Sequence, residues 1–365
     1  MTRVGSLAAE LRERGVDLLL IAAPFDVRYM TDFTGSNGLA VLAAQESGPH
    51  RFLTDFRYDT QSAEQVPDVF TREIVAVDLL EAAVRALEPR SEEAGVGRLG
   101  FDDSIVTVKQ HARLLELLPA GWELIECGGA VAGLREVKDD SELARIRAAA
   151  ELADVALREV LEQGLVGRTE REVAIELELR MRRLGAEGPS FPSIVAAGPH
   201  SALPHAEPRA VEIPKDTLLT IDWGALHDGY CSDCTRTFAT GSLTEDERDI
   251  YELVRRAQEE ALAAVRPGPS GREIDAVARG IIEQAGHGEH FGHGLGHGVG
   301  LEVHEAPRLS RTAPQKALCA GNVVTVEPGV YLPGRFGVRI EDLAIVREDG
   351  GESLSGLSKQ LTEIQ

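Results

Sequence analysis

The sequence predicts an α/β domain followed by a longer domain in which long helices lead into strands twice over. Three observations carry this expectation. Residues 5–126 alternate short apolar runs with helical patterns. From Asp139 onward, four helix starts pair a short polar residue with a Glu three positions later, the pattern in which each side chain caps the other's backbone amide. Finally, the segments GLVGRTEREVA (164–174) and GPSGREIDAVA (268–278) read alike, which suggests an internal pseudo-duplication.

In chain order, Ser6 is placed to cap a first helix that stops at Gly15, and DLLLIAA (17–23) reads as a buried strand. LAVLAA (39–44), RFLTDF (51–56) and LGFDD (99–103) are further strands, with helices near 78–88 and 107–118. Glycine and charge replace periodicity over 127–138, giving an α/β domain 1–126, a linker 127–138 and a second domain 139–365. The capping pairs Asp139/Glu142, Thr169/Glu172, Thr244/Glu247 and Ser270/Glu273 open helices near 141–163, 169–184, 245–265 and 271–285. SIVAAG (193–198) comes after the first helix pair as a strand. A length of 365 residues suits two domains of ~150 residues or more.

Hydrophobic content of 43% allows a sizeable core. With 60 acidic against 38 basic residues, the net charge of −22 disfavours nucleic-acid and anionic membrane partners. No apolar run approaches the ~20 residues of a membrane helix, and the charged amphipathic start lacks a signal-peptide core. Four cysteines in a chain this long make no disulfide framework, so a cytoplasmic protein is expected.

The chemistry concentrates in the second domain. TLLTIDWGALHDGYCSDCTRTFATG (217–241) reads as two β-runs around a turn, with Asp222 in one and Asp233 in the other. Two carboxylates side by side are unfavourable unless a cation lies between them. Cys231 and Cys234 form a C-x-x-C, but strand alternation puts Cys231, Asp233 and Thr235 on one face and Cys234 and Arg236 on the other. The thiols then diverge, which argues against a shared metal.

HFGHGLGHGVGLEVHE (290–305) sets His293, His297 and His304 among glycines. The glycines disfavour a helix and let backbone approach a ligand or metal closely. NVVTVEPGVYL (322–332) and FGVRIEDLAIV (336–346) read as apolar strands, each interrupted by an acid, Glu327 and Glu341. A buried carboxylate must be paired, hydrogen-bonded or metal-bound. Arg339, two residues before Glu341, is a candidate ion-pair partner for it. Together these segments supply four carboxylates and one imidazole. Two divalent ions would neutralise them, and an oxygen-rich shell with one nitrogen suits Mn²⁺ or Co²⁺, with Zn²⁺ as a further candidate.

The motifs D-W-G (222–224), G-Y-C-S-D-C-T-R-T (229–237), H-G-L-G-H-G-V-G-L-E-V-H-E (293–305), V-E-P-G-V-Y (326–331) and G-V-R-I-E-D (337–342) resemble those of the pita-bread metallopeptidases, over roughly 139–350. YMTDFTGSNG (29–38) and FLTDFRYDTQ (52–61) resemble the creatinase-type N-terminal domain of the proline-specific branch. The resemblance implies an α+β pita-bread catalytic domain with pseudo-twofold internal duplication. It implies Asp222, Asp233, His297, Glu327 and Glu341 as metal ligands, with Asp233 and Glu341 bridging and Glu327 also accepting a proton. His205 (in SALPHAEP) and His304 would meet the substrate and the developing oxyanion, His293 would be a further active-site histidine, and Arg339 would support the bridging glutamate. Arg308, in HEAPRLS, resembles an arginine that grips a dipeptide's carboxylate, and is otherwise a surface residue.

The implied activity is hydrolysis of the bond between a residue and a following proline, in a prolidase-like manner on dipeptides. An aminopeptidase P-like action on longer peptides is the alternative. A binding module and a non-peptide amide hydrolase on the same fold are the more distant rivals. Small peptides are the expected partners, and a homodimer is expected because such relatives often dimerise.

Overall fold

The computed structural model describes residues 2–76, 78–91, 93 and 95–365. The chain divides into two compact units, residues 1–135 and 136–365.

The first unit is α/β. Its strands are β1 (Leu18–Ile21), β2 (Gly38–Ala43), β3 (His50–Thr54), β4 (Phe70–Ile74), β5 (Gly97–Phe101) and β6 (Trp122–Glu126). They form one mixed sheet in the order β4-β3-β2-β1-β5-β6. Strand β1 lies antiparallel to β2 and parallel to β5, so the sheet's apolar centre falls where DLLLIAA was expected to be buried. The helices are α1 (Arg3–Glu13), α2 (Pro24–Thr31), α3 (Asp59–Gln65), α4 (Leu79–Arg85), α5 (Val108–Leu117) and α6 (Ala130–Arg135). Leu20, Val41, Leu53 and Leu99 from the sheet pack with Val84 and Leu114 from the helices.

Local signals account for most of these bounds. Thr2, not Ser6, caps α1: its side chain accepts from the Gly5 amide, while Ser6 already lies inside the helix. The termination is as expected, since Gly15 takes the left-handed φ of +67°. Strands β4 and β6 escape the sequence pattern because they are the sheet's two edges. Only Phe70 of β4 is buried, and β6 buries no residue fully. The 127–138 stretch holds α6, whose Arg135 makes a buried ion pair with Asp26 at 2.8 Å.

The second unit repeats itself. Helices α7 (Asp140–Leu161) and α8 (Glu170–Arg183) lead to β7 (Gly188–Pro189), β8 (Ile194–Ala197), β9 (Leu218–Trp223), β10 (Ala225–His227), β11 (Tyr230–Cys231) and β12 (Cys234–Ala239). Helices α9 (Glu245–Ala264) and α10 (Gly271–Gln284) lead to β13 (Gly296–Gly298), β14 (Glu305–Leu309), β15 (Val323–Val326), β16 (Gly329–Leu332), β17 (Phe336–Arg339), β18 (Asp342–Arg347) and β19 (Gly350–Ser353). All four expected capping boxes are formed.

The duplication is visible in hydrogen bonds. The cap residue Thr169 bridges antiparallel to Glu212, and the cap residue Ser270 bridges in the same way to Ala317. The Gly167 amide bonds to the Ile213 carbonyl, and the Gly268 amide to the Leu318 carbonyl. In the first half β9 runs antiparallel between β8 and β12, and in the second β15 runs antiparallel between β13 and β18. Each half has its own core, one around Leu157, Leu177, Ile221 and Trp223 and the other around Val254, Ile274, Val326 and Val338.

Candidate active site

Each of the two strongly apolar runs is two strands rather than one. The first breaks at Glu327–Pro328, between β15 and β16, and the second at Ile340–Glu341, between β17 and β18. Pro328 has no amide to donate to a ladder, so the strand cannot run through it. Val326 faces Asp342 across one hairpin and Gly329 faces Arg339 across the other, so the two breaks lie opposite each other. The amides freed at the breaks are satisfied by other segments. The Glu327 amide donates to the Leu295 carbonyl at 2.8 Å, and the Glu341 amide to the Thr235 carbonyl at 3.0 Å. Each acid is thereby fastened to another site-bearing segment, the histidine loop in one case and the aspartate hairpin in the other.

Strand β9 carries Asp222 directly opposite Thr235 of β12. Asp233 lies in the short break between β11 and β12. His297 lies in β13, which runs beside both β14 and β15. Two of the glycines around it, Gly294 and Gly296, line the cavity, and Gly296 and Gly298 are needed for strand contact. A Cβ at Gly296 would stand 2.0 Å from the Thr325 carbonyl oxygen, and one at Gly298 would stand 2.2 Å from that of Ala306.

Asp222, Asp233, His297, Glu327 and Glu341 converge on one cavity of about 480 Å³, together with His205, His293, His304 and Arg339. Potential ligand atoms of Asp233, His297 and Glu341 all lie within 4.8 Å of one another. His297 Nε2 stands 3.6 Å from Asp233 Oδ2 and 3.3 Å from Glu327 Oε1. Its Nδ1 donates to the Gly298 carbonyl at 3.1 Å, which leaves Nε2 facing the carboxylates. The Asp222 Oδ1 and Glu341 Oε1 atoms are buried with no hydrogen-bond partner.

The electrostatics arise from this crowding. Burial raises the Asp233 carboxyl well above the ordinary range, and Glu341, Asp222 and Glu327 raise it further. Burial and then the charges of Glu327 and Asp222 raise Glu341 in the same way. Asp222 is raised by burial although the Arg339 guanidinium opposes this. Glu327 behaves differently: burial opposes its charge, yet the His297 contact outweighs burial and holds it at about 2. His297 is correspondingly raised, with Glu327 outweighing the effect of burial. Carboxylates this deeply buried keep their charge only beside a cation. The unpartnered oxygens and the inward-facing imidazole nitrogen fit divalent metal.

The surrounding residues fix this core. Arg339 donates to Asp222 Oδ2 at 2.7 Å, to Thr235 Oγ1 at 3.0 Å and to the Tyr331 hydroxyl at 2.9 Å. Its ion pair is with Asp222, and it reaches Glu341, for which it was a candidate partner, through Thr235. The chain turns at Ile340–Glu341, so the strand alternation behind that expectation does not carry across. Glu341 instead accepts from Thr235 Oγ1 at 2.6 Å. His293 Nδ1 donates to the Gly294 carbonyl at 2.7 Å, so its Nε2 accepts from the Tyr331 hydroxyl at 2.9 Å. Burial lowers the pKa of His293, consistent with this neutral tautomer. Thr235, Thr325 and Tyr331 were not singled out from sequence. Thr325 Oγ1 accepts from the His297 amide at 3.1 Å and donates to Glu327 at 3.3 Å, and the signal that points to Thr235 and Thr325 is their place two residues from Asp233 and Glu327 in sequence.

His304 packs edge-on against His297, with ring centroids 4.2 Å apart, and its pKa is lowered first by burial and then by the charge of His297. His205 lies on the irregular stretch between the short 3-10 turn at Gly198–Ala202 and β9, flanked by Pro204, Ala206, Glu207 and Pro208 on the cavity wall. Phe191, Pro192 and Ile194 also line the cavity. Arg308 is the one expected residue outside this lining. It is exposed on β14, close enough for its charge to reach His304. The Cys231 thiol points to the Leu301 carbonyl and the Cys234 thiol to the Glu341 carbonyl, so the pair does diverge.

A family model described as creatinase/prolidase N-terminal domain matches residues 3–137, and one described as metallopeptidase family M24 matches residues 144–348. The chain is 34% identical to a Xaa-Pro dipeptidase of Pyrococcus horikoshii, over 98% of each protein. Its fold is similar to that of a Xaa-Pro dipeptidase from Bacillus anthracis, with a TM-score of 0.92, 37% identity and 99% of each chain covered. It is also similar to an X-Pro aminopeptidase from Thermotoga maritima, with a TM-score of 0.85, 34% identity, and 96% and 99% of the two chains covered. Among the described residues, no helix is long and apolar enough to cross a membrane. The matched family model spans more than half of the chain and covers every residue that converges on the cavity: the chain belongs to metallopeptidase family M24.

Proposed function

We propose that this protein hydrolyses the peptide bond between a residue and a following proline, with dipeptides as the preferred substrates. The observation that carries the reading is the convergence of four carboxylates, three of them buried and Glu327 nearly so, and one imidazole on a single cavity, with two carboxylate oxygens left unpartnered. Asp222, Asp233, His297, Glu327 and Glu341 would hold two divalent ions, which balance four negative charges, and Mn²⁺ or Co²⁺ suits their donor set. When bound, the metal supplies electrophilic activation of the scissile carbonyl and of water.

The chain's own groups do the rest. Glu327, on the cavity wall 3.3 Å from His297 Nε2, is the base that accepts a proton at its carboxylate oxygen. His205 and His304 face the cavity as donors to the substrate and to the oxygen on which charge develops. Phe191, Pro192, Ile194 and Pro204 form an apolar wall suited to a pyrrolidine ring and exclude water from it. The Xaa-Pro dipeptidase relatives support the dipeptide preference.

Aminopeptidase action on longer peptides is the second reading. It is favoured by two observations: Arg308 stands outside the cavity lining, and one structural relative is an X-Pro aminopeptidase. The test measures hydrolysis of a Xaa-Pro dipeptide beside a Xaa-Pro-Xaa tripeptide, before chelation, after it, and after add-back of Mn²⁺ or Co²⁺. Loss of dipeptide turnover on chelation and its return with metal are expected. Undiminished turnover by metal-stripped enzyme would refute the reading, and faster tripeptide cleavage would replace it with the second.

A further inference from the structure

The cavity wall that carries His205 has no regular structure of its own: residues 203–210 form neither helix nor strand. Something else must hold it. On one side the anchor is the site itself, since Arg339 donates to the Pro204 carbonyl at 3.1 Å and Ser201 exchanges hydrogen bonds with the Gly337 backbone. On the other side stands Glu170, the first residue of α8, fully buried and outside the cavity lining.

Glu170 gathers the whole loop. Its Oε1 accepts from the Ala197 amide at 3.0 Å, at the loop's beginning. Its carboxylate takes the His200 Nδ1 at 3.0 Å, in the turn beyond it. Its Oε2 accepts from the Arg209 amide at 3.0 Å and its two oxygens receive a forked pair of bonds from the Arg209 guanidinium at 3.0 Å, at the loop's end. Burial alone would push this carboxyl up, but Arg209, the two amides and His200 hold it below the ordinary value.

Such a residue is not required by the helix it begins. The second half places α10 after an equivalent capping box, and its first residue is Gly271. There the absence of a side chain lets the Arg308 carbonyl approach, with 2.1 Å to a would-be Cβ. A buried acid at this position is therefore peculiar to the half whose loop carries His205.

We propose that Glu170 is a positioning residue for the reaction: it clamps residues 197–209 into one closed loop and so sets His205 against the metal core. The inference rests on the reading of His205 as a substrate-facing group. Displacement of a positioned group by an ångström can cost about 100-fold in rate without touching the reacting atoms.

The test uses the metal-loaded enzyme and a Xaa-Pro dipeptide, with a double-mutant cycle on Glu170→Gln and His205→Ala. Glu170→Gln keeps the side-chain volume but replaces one acceptor oxygen with a donor facing donors. It is expected to lower kcat by roughly 10- to 100-fold with metal content unchanged. In the His205→Ala background the same substitution is expected to cost less than about three-fold, because the group it positions is gone. Arg209→Met, which leaves the carboxylate and its backbone donors in place, serves if Glu170→Gln does not fold, and is expected to show a weaker loss with the same non-additivity. Losses that multiply independently in the double variant, or a loss that follows metal content or folded fraction, overturn the clamp. If His205→Ala alone keeps full kcat, the reading of His205 is what fails, and the clamp falls with it.

Discussion

Arg308 and His205 stand on opposite sides of what residue chemistry can decide. In a dipeptide the proline carboxylate lies just beyond the scissile bond, and once desolvated it needs a partner. An arginine offers a forked, charge-assisted bond of a kind worth about 1.5–3 kcal/mol. Arg308 is exposed and outside the cavity lining, so it meets such a carboxylate only if its side chain reaches into the cavity. If it does, Arg308→Ala should lose roughly 10- to 150-fold in kcat/KM on dipeptides and far less on tripeptides. Small, equal losses on both would leave Arg308 as a surface residue and favour the aminopeptidase reading. The metal core makes a separate demand. Asp233→Ala should cost metal occupancy, because its carboxylate lies among the closest-packed donors. His205→Ala should keep metal and lose turnover. Elemental analysis of both purified variants decides this, and full metal content in Asp233→Ala would contradict its assignment. Glu327 and Glu341 could be picked out because a charge in an apolar run is conspicuous in sequence, and three of the histidines because they crowd a glycine-rich loop, whereas His205 came only from the resemblance. Tyr331, which links His293 to Arg339, could not, since a tyrosine in a strand is ordinary until its hydroxyl is seen between two site residues.

Between residues and the whole lie the helix starts and strand breaks. Thr169 and Ser270 each accept from the amide three residues on, and each also bridges to a segment leading into a central strand. Thr169→Ala and Ser270→Ala should each lower the free energy of chemical unfolding by about 1 kcal/mol. The two losses should be similar, because the two halves are built alike; unaltered unfolding midpoints in both variants would contradict the loss, and a loss in only one would contradict the likeness. These caps were legible because their signal spans four residues. Ser6 and Thr2 show the limit of such a signal, for both are cap residues and neither has a Glu or Gln three positions later to mark the start. The strand breaks at Glu327 and Glu341 were not legible. The apolar residues on either side of each acid belong to different hairpins, and hydrophobicity alone does not say which strand a residue pairs with. The same break misdirected the pairing expected for Arg339. Edge strands β4 and β6 were missed for a different reason, having too few buried residues to produce a period.

Across the whole molecule, the acids of greatest consequence are the four that meet at the cavity of the second unit. The two-domain α/β and α+β plan was legible from alternation and from the repeated junctions, which the paired bridges at Thr169 and Ser270 bear out. Acids crowded together in this way link metal, pH and stability. In the unfolded chain Asp233 and Glu341 titrate near their ordinary values of 3.8 and 4.5. In the metal-free fold both are raised well above these values, and Asp222 is raised too, by burial and by one another's charges. A carboxyl with a raised folded pKa favours folding at low pH. That contribution is lost as pH rises from the unfolded value through the folded one. His297, also raised, adds loss in the same direction above its ordinary 6.5, while Glu327, held at about 2, is ionised throughout and adds none. Bound metal takes the place of the protons, so the loaded protein escapes this loss. The Tm of protein stripped by dialysis should therefore fall behind that of the Mn²⁺-loaded protein by a gap that widens from about pH 5 to about pH 8. Asp233→Asn removes one of the raised acids and should flatten the pH dependence of the stripped protein. A gap that stayed constant or narrowed with rising pH would mean that these acids carry no shared proton in the metal-free fold, and that their crowding is relieved by movement of the chain.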